Sequence, residues 1–277
     1  MGPVKVLCIG GSDSSGGAGI QADLKAVSAC GCYGMSVITA VTAQNTQGVQ
    51  SIHPVPRKFI LAQLDSVLSD IGVDAVKTGM LLTAGAVESV VKKVKEYRLE
   101  KLIVDPVMVA KGGHSLMQDR SRDVLIKELL PLALVVTPNI PEAEVLAQMK
   151  IGSVAAMKKA AVIIQKLGAK NVLIKGGHLP GSRRSGALDI LFDGERYYEF
   201  SSPWIHTKNT HGTGCTYASV LASALAREKN IIDAVWQAKI MVTAAIENAL
   251  RLGKGHGSVN VFGKNVSTKK RSKNYLS

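Results

Sequence analysis

The chain has 277 residues and a net charge of +13, with 46% hydrophobic and 4% aromatic residues. This length and apolar content allow one large core, and no apolar run reaches the ~20 residues that a membrane helix needs. Four cysteines are too few for a disulfide framework in so long a chain. The opening run Val4–Ile9 lacks a signal-peptide cleavage region. We therefore expect a cytoplasmic protein with a single domain over residues 1–263.

The positive charge invites a nucleic-acid-binding interpretation, since a basic surface attracts polyanions. Part of that charge lies in residues 264–277, which contain lysine and arginine but no acidic residue. We predict that this segment is a disordered, solvated tail. The scarcity of aromatic residues also removes the stacking platforms of single-strand binders. We expect no nucleic acid and no membrane among the partners.

Strand and helix patterns alternate along the chain. The run Val4–Ile9 predicts a strand, Ala18–Ala29 a helix and Met35–Val41 a second strand. Alternation of helices with wholly apolar strands predicts a three-layer α/β/α fold with a central, mostly parallel sheet. Asp193-Gly194 predicts a small hairpin within 188–200. The other predicted strands are 75–77, 102–104, 134–136 and 172–174, and the other predicted helices are 58–69, 84–97, 120–130, 141–148, 154–167, 215–227 and 232–250.

A glycine-serine loop, residues 10–19, follows the first strand, at the end of the sheet where ligands bind in such folds. It lacks the lysine of a Walker loop. Residues 17–22 fit a loose dinucleotide fingerprint, but no acidic residue closes the next strand, which disfavours an NAD-dependent oxidoreductase. Asp23 and Gln44 follow the first two strand ends, where each can hydrogen-bond a flat heterocycle. The alternative for Asp23 is an exposed carboxylate in the first turn of a helix.

Charged side chains follow the later strands. Asp105 comes directly after a strand, and a hard cation that bridges phosphates binds such a carboxylate. Asn139 and Glu142 follow the next strand, and their spacing suits either a shared water shell around this metal or a helix cap. Lys175 follows the strand after that and precedes two glycines, which indicates a phosphate contact.

Residues 210–216, Thr-His-Gly-Thr-Gly-Cys-Thr, lead into an apolar helix. Glycines 212 and 214 allow several amide N–H groups to converge at the helix start, forming an anion hole. The helix dipole and these donors favour the thiolate of Cys215; the alternative is a helix-entry turn with a buried cysteine. His211 and His178 lie where either can contact phosphate.

An anion hole, a strand-end lysine, carboxylates for a metal and a glycine-lined loop are the parts that phosphoryl transfer needs, because this chemistry depends on charge neutralisation and positioning. The residues by themselves therefore predict ATP-dependent phosphorylation of a small alcohol. Residues 111–119, with glycines 112 and 113, are a candidate lid over the substrate.

Six segments within residues 4–260 closely resemble the hydroxymethylpyrimidine/phosphomethylpyrimidine kinases of thiamine biosynthesis. The resemblance implies a ribokinase-like fold and two successive transfers from ATP: onto 4-amino-5-hydroxymethyl-2-methylpyrimidine, then onto its monophosphate. The segments are Gly11-Ser-Asp-Ser-Ser-Gly-Gly-Ala-Gly-Ile-Gln-Ala-Asp23, Thr42-Ala-Gln-Asn-Thr46, Val76-Lys-Thr-Gly-Met80, Val104-Asp-Pro-Val-Met108, Thr137-Pro-Asn139 with Glu142, and Asn209-Thr-His-Gly-Thr-Gly-Cys215.

The resemblance also implies roles for individual residues. Asp105 and Glu142 organise Mg²⁺, with Asn139 behind them. Much of the ribokinase superfamily has an aspartate general base where this chain has Cys215, which leaves the base open between a Cys215 thiolate and an assisted water. The pyrimidine pocket is formed by Gln44, Asp23, Gly11, Met80 and Val107. The implied ATP and phosphate contacts are Lys175, Thr210, Gly212, Thr213, Gly214 and the amide of Cys215.

The nearest alternative is a pyridoxine/pyridoxal kinase on the same scaffold. Such kinases can share both the glycine-rich loop and the cysteine of the anion hole. Gln44 separates the two, because an amide offers a donor and an acceptor to an aminopyrimidine, whereas the B6 kinases most like this family tend to carry a non-amide there. The expected partners are the pyrimidine, ATP and a second copy of the chain in a homodimer.

Overall fold

The computed structural model describes residues 2–108 and 116–263. A π-helical turn (Leu125–Leu129) and a 3-10 turn (Leu130–Leu132) continue the fourth helix. The strands are β1 (Lys5–Asp13), β2 (Tyr33–Asn45), β3 (Gly48–Pro54), β4 (Ala75–Thr78), β5 (Leu102–Val104), β6 (Val135–Val136), β7 (Asn171–Lys175), β8 (Ala187–Phe192) and β9 (Tyr197–Ser202). The helices are α1 (Gly19–Ala29), α2 (Arg57–Asp70), α3 (Ala84–Glu96), α4 (Asp119–Val124), α5 (Ile140–Ala147), α6 (Val154–Gln165), α7 (Ser182–Ser185), α8 (Thr213–Ala226) and α9 (Ile231–Glu247).

The strands form one sheet in the order β3-β2-β1-β4-β5-β6-β7-β8-β9. The pairs from β2 to β7 are parallel, whereas β3, β8 and β9 pair antiparallel to their neighbours. The mostly parallel sheet and the predicted hairpin, now β8 and β9, are confirmed. No helix in the described part of the chain is long and apolar enough to cross a bilayer.

Two features of the sheet were not predicted. The edge strand β3 was missed because most of its side chains are partly or fully exposed, so it carries no apolar pattern. The glycine-serine loop is shorter than predicted, since Gly10–Asp13 continue β1 and pair with β2 across a register shift. As a result, Asp13 is held by the sheet and not by a loop.

Helices cover both faces of the sheet with separate apolar cores. One core joins β1 and β5 to helices α2, α3, α5 and α6. The other joins the opposite face to α1, α8 and α9. Helix α8 is buried from Thr216 to its end at Ala226, as expected for a largely apolar helix in a core. Its first turn, at the carboxyl ends of the strands, is therefore rigidly placed.

Residues 250–261, here called the C-terminal strap, tie the end of β2 to the turn that enters α8. Backbone N–H groups of the strap donate to Thr46 O at 2.7 Å, to Asn209 Oδ1 at 3.1 Å and to His211 O at 3.1 Å. The N–H of His211 donates in return to Gly257 O at 3.0 Å. The strap thus links the residues after β2 to the turn before α8 by hydrogen bonds.

We expect Gly257→Ala to lower the free energy of unfolding by about 1–3 kcal/mol through overpacking, measured by urea denaturation. A β-carbon at Gly257 would lie 2.7 Å from Asn209 Oδ1 and would collide with the carbonyl of Leu250. Gly152 is the matched control, because no described atom lies within 4 Å of a β-carbon there; Gly152→Ala should change stability by less than ~0.5 kcal/mol. Equal effects would contradict close packing of the strap.

Candidate active site

A cavity of about 750 Å³ opens at the carboxyl ends of the parallel strands, within the size range of small-ligand sites. Its walls include every residue that the sequence predicted for the site, so residues far apart in the chain converge as expected. Their individual roles stay predictions. The residues are Gly11, Asp23, Gln44, Met80, Asp105, Val107, Asn139, Glu142, Lys175, Thr210, Gly212, Thr213, Gly214 and Cys215.

The first turn of α8 points into this cavity. Gly212 precedes the helix in a left-handed conformation (φ +80°), and no side chain among the described residues caps the helix start. The N–H groups of the first turn, including those of Gly214 and Cys215, have no acceptor within the helix. A β-carbon at Gly214 would lie 3.5 Å from Lys175 Nζ and 3.7 Å from Asp105 Oδ2. Glycine therefore keeps the amide cradle open directly over this charged pair.

Lys175 and Asp105 form a buried ion pair of 2.8 Å, with side chains 13% and 3% exposed. The hydroxyl of Thr137 donates to Asp105 Oδ1 at 3.0 Å. Burial alone would lower the pKa of Lys175, but Asp105 and Glu142 outweigh burial and raise it. Burial alone would raise the pKa of Asp105, but Lys175 and Lys77 lower it. Both groups are charged at neutral pH.

Asn139 and Glu142 form the helix cap that the sequence left as one of two alternatives. Asn139 Oδ1 accepts from the N–H of Glu142, and Glu142 Oε2 accepts from the N–H of Asn139, each at 2.9 Å. The amide oxygen of Asn139 is thus engaged at the start of α5. Glu142 is nevertheless at the cavity wall, where burial and then the nearby Asp105 raise its pKa to about 7, against the lowering effect of Lys175.

The carboxylates of Asp105 and Glu142 fit a magnesium ion whose other ligands are nucleotide phosphates and waters. The described residues contain no group of three or more His, Cys, Asp or Glu side chains that could hold a metal by themselves. Mg²⁺ in nucleotide sites usually binds only one or two carboxylates, with phosphates and waters completing its shell. Asp105 and Glu142 provide two carboxylates at the same wall.

Asp23 is buried beneath the cavity, contrary to the exposed alternative. Its side chain is 1% exposed and accepts hydrogen bonds from Lys77 Nζ at 2.8 and 2.9 Å and from the Ser219 hydroxyl at 2.8 Å. Sequence reasoning missed Lys77, although a lysine inside the buried strand β4 is itself a sign of a paired charge. Burial alone would lower the pKa of Lys77, but Asp23, followed by Cys215 and Asp105, raises it.

The sequence left Cys215 open between a thiolate at the helix start and a buried cysteine, and desolvation in the structure favours the neutral thiol. Burial, with smaller contributions from Asp23 and Asp105, raises the pKa of the thiol to about 11. Lys77 and the N–H of Gly19 act in the opposite direction but do not outweigh burial. Loss of hydration thus dominates over the donors at the helix start, and the thiol is protonated at neutral pH.

Gln44 lies at the end of β2, just after a register shift. Its side-chain amide is 3.2 Å from Thr42 Oγ1 and 3.3 Å from His211 Nε2. The ring of His211 also lies 2.9 Å from Asp13 Oδ2. His211, for which the sequence predicts a phosphate contact, thus contacts two polar side chains through Nε2, and Asp13 is a site residue that sequence reasoning missed.

A second buried pair that the sequence did not reveal supports Lys175. Asp189 on β8 and Lys239 on α9 are 2.8 Å apart, with side chains 3% and 6% exposed. Asp189 Oδ1 also accepts the N–H of Gly176 at 3.0 Å, which fixes the backbone next to Lys175. The sequence does contain a sign of this buried pair, because Asp189 and Lys239 are charged residues within the otherwise largely apolar elements β8 and α9.

The candidate lid was predicted over residues 111–119, but residues 111–115 lie outside the described residues. Residues 264–277, the predicted tail, also lie outside them.

Comparison with known proteins identifies close relatives. The family model described as phosphomethylpyrimidine kinase matches residues 13–260. A hydroxymethylpyrimidine/phosphomethylpyrimidine kinase of Bacillus subtilis is 48% identical over 262 residues, which cover 95% of this chain and 96% of that relative. A thiamine biosynthesis bifunctional protein of Geobacter sulfurreducens is 54% identical over 255 residues, or 92% of this chain and only 51% of that relative. The chain therefore spans about half the length of this second relative.

Among solved structures, an ADP complex of Bacillus subtilis pyridoxal kinase is similar in fold, with a TM-score of 0.86. It is 38% identical in sequence, and the match covers 93% of this chain and 97% of the kinase.

Lys77→Met should lower the free energy of unfolding by about 3–5 kcal/mol, because Asp23 would stay buried without its cation. Urea denaturation measures this loss. The control is Arg57→Met at the exposed pair of Arg57 and Glu88, whose side chains are 53% and 26% exposed; it should cost less than ~1 kcal/mol. Equal losses in the two variants would show that the buried pair contributes no more to the free energy of unfolding than the exposed pair.

Alkylation of Cys215 by iodoacetamide should accelerate about tenfold per pH unit between about pH 7 and 9, because only the thiolate reacts and its fraction grows toward the raised pKa. Mass spectrometry of the modified peptide measures the rate. Cys8, which is fully buried, is the internal control and should stay unmodified. A rate independent of pH over this range would indicate a thiolate instead.

Proposed function

Since the chain belongs to the phosphomethylpyrimidine kinase family, we propose that it phosphorylates 4-amino-5-hydroxymethyl-2-methylpyrimidine with ATP and then phosphorylates the resulting monophosphate, in thiamine biosynthesis. The ribokinase-like fold implied by the sequence is confirmed by the likeness to pyridoxal kinase. One observation carries the proposal: the amide cradle of α8, the Lys175–Asp105 pair and the amide of Gln44 line one cavity.

The pyrimidine end of the cavity is assigned to Gln44 and its neighbours. Gln44 offers a donor and an acceptor, which match a ring nitrogen and an exocyclic amino group. Met80, at the cavity wall, is 8% exposed, and its terminal methyl group covers Gly11 so closely that a β-carbon there would collide with it. This apolar cover beside a hydrogen-bonding amide suits a flat, partly polar ring.

The phosphate end is assigned to the cradle. The N–H groups of Gly214 and Cys215, which have no acceptor within α8, and the charged Lys175 stabilise negative charge on the transferring phosphoryl group. Asp105 and Glu142 would hold Mg²⁺, which when bound neutralises charge on the phosphates of ATP. Lys175 is kept in place by Asp105 through its side chain and by Asp189 through the next residue. Such preorganisation avoids rearrangement of charges during transfer.

The backbone N–H of Cys215, and not its thiol, is assigned to phosphate binding. A thiol with a pKa of about 11 is almost wholly protonated at neutral pH and so is not available as a general base. Phosphoryl transfer through a loose transition state needs little deprotonation of the attacking hydroxyl before bonding changes begin. The sulfur of Cys215 instead accepts a hydrogen bond from the N–H of Gly19 and interacts electrostatically with Lys77 and Asp23.

A pyridoxal kinase activity is the second candidate, favoured by the likeness to the Bacillus subtilis enzyme. The two activities differ in the substrate ring that the enzyme binds and not in the phosphoryl-transfer chemistry. Gln44 supports the aminopyrimidine. The homodimer and the cytoplasmic location stay predictions.

A coupled assay of ADP release should show turnover with the pyrimidine alcohol and with its monophosphate, and little with pyridoxine. Gln44→Met should reduce kcat/KM for the pyrimidine at least about 10²-fold, because a site built for hydrogen bonds loses both partners. KM for ATP should stay within about twofold, as the phosphate end is unchanged. Gln47→Met, at an exposed turn beyond β2, is the control. Preference for pyridoxine in the wild type would overturn the proposal.

A further inference from the structure

Gln44 belongs to a chain of polar side chains that runs from Asp13 through His211 and Gln44 to Thr42. His211 Nε2 lies 2.9 Å from Asp13 Oδ2 and 3.3 Å from the side-chain amide of Gln44. The other end of that amide lies 3.2 Å from Thr42 Oγ1, which is also 3.0 Å from the carbonyl of Ser12. The side chains of His211 and Asp13 are only 12% and 3% exposed. Water therefore has little access to the contact between them.

The charge of Asp13 determines where the hydrogen of His211 lies. Burial alone would raise the pKa of Asp13, but hydrogen bonds from His211, Ser15 and Ala18 lower it to about 2. The contacts of Ser15 and Ala18 are each 2.8 Å long. A carboxylate oxygen can only accept, so the facing nitrogen of His211 carries a hydrogen whether the ring is neutral or protonated.

This hydrogen decides which end of the Gln44 amide faces His211. An NH₂ group cannot donate to a nitrogen that already donates to Asp13. The single hydroxyl hydrogen of Thr42 is used toward the carbonyl of Ser12, so its oxygen needs a donor from Gln44. As placed, Gln44 Nε2 faces His211 and Oε1 faces Thr42. Both conditions are met once the amide is turned by 180°, so that its NH₂ donates to Thr42 and its carbonyl oxygen shares, at 3.3 Å, the hydrogen that His211 Nε2 donates mainly to Asp13.

We propose that Asp13 and His211 are positioning residues that fix the orientation of the Gln44 amide and so make the site select an amino over an oxo substituent on the ring. The proposal rests on the kinase function argued above. The free edge of the amide then presents an acceptor beside His211 and a donor beside Thr42. An aminopyrimidine, with NH₂ next to an unprotonated ring nitrogen, matches this edge. Its 4-oxo analogue, with a carbonyl next to a ring N–H, reverses the pattern.

Two variants of His211 separate hydrogen bonding from packing. His211→Leu keeps most of the volume and removes the donor. His211→Gln places an amide N–H at the reach of the imidazole Nε2. His53→Ala is the control, since His53 lies on the exposed edge strand β3 and not at the cavity wall. Kinetics with the amino alcohol and with its 4-oxo analogue are measured for each protein at saturating ATP.

The wild type should prefer the amino compound in kcat/KM by at least about 10². His211→Leu should lower this preference by about two- to tenfold, the net size of one lost hydrogen bond, because the amide is then free to turn. His211→Gln and His53→Ala should retain the preference, and KM for ATP should stay within about twofold in all variants. An unchanged preference in His211→Leu, or an equal loss in His211→Gln, would overturn the proposal.

A double-mutant cycle tests whether His211 acts through Gln44. In the Gln44→Met background, His211→Leu should change kcat/KM for the amino compound by less than about twofold, whereas independent action predicts additive losses. If His211→Leu does not fold, as judged by thermal unfolding, His211→Ala replaces it with the same expected result. Absence of turnover in the wild type would refute the kinase function itself. Normal turnover with unchanged preference in the variants would refute only this inference.

Discussion

The ion pair between Asp105 and Lys175 is the interaction on which the rest of the site depends. It joins the carboxyl end of β5 to that of β7, and Thr137, which follows the strand between them, donates to the same carboxylate. Burying two charges costs free energy unless geometry and further hydrogen bonds offset it. Here the pair lies next to Gly214, where a β-carbon would lie 3.5 Å from Lys175 Nζ.

The same arrangement recurs along the cavity. Lys77 is paired with Asp23 beneath the cavity, and Lys239 is paired with Asp189, which also binds the N–H of the residue after Lys175. Each lysine is held by an aspartate from a different element, so the positive charges are fixed before a ligand arrives. A site of this kind stabilises developing negative charge without reorganising. Glu142 lies at the same wall and is held by the cap of α5 instead of by a lysine.

The sequence predicted the architecture well and individual side-chain environments less well. Apolar strands alternating with amphipathic helices are a local pattern, so the parallel sheet and the hairpin at 188–200 could be inferred without coordinates. The edge strand β3 could not, because an exposed strand has no apolar pattern. Asp23 and Cys215 were predicted to contact ligands, and both do line the cavity. Their burial, which ties Asp23 to Lys77 and keeps Cys215 protonated, depends on helices distant in the chain.

The sequence by itself determined the fold class, the family and the set of residues at the strand ends, because strand ends, glycine turns and motif spacing are local properties. Only the tertiary structure decided which charges are paired, which nitrogen of His211 carries a hydrogen and which way the Gln44 amide faces. The physical reason is that desolvation and hydrogen bonding depend on neighbours from several elements. Asp13 and His211 illustrate this, since they are almost two hundred residues apart in the chain and 2.9 Å apart in the fold.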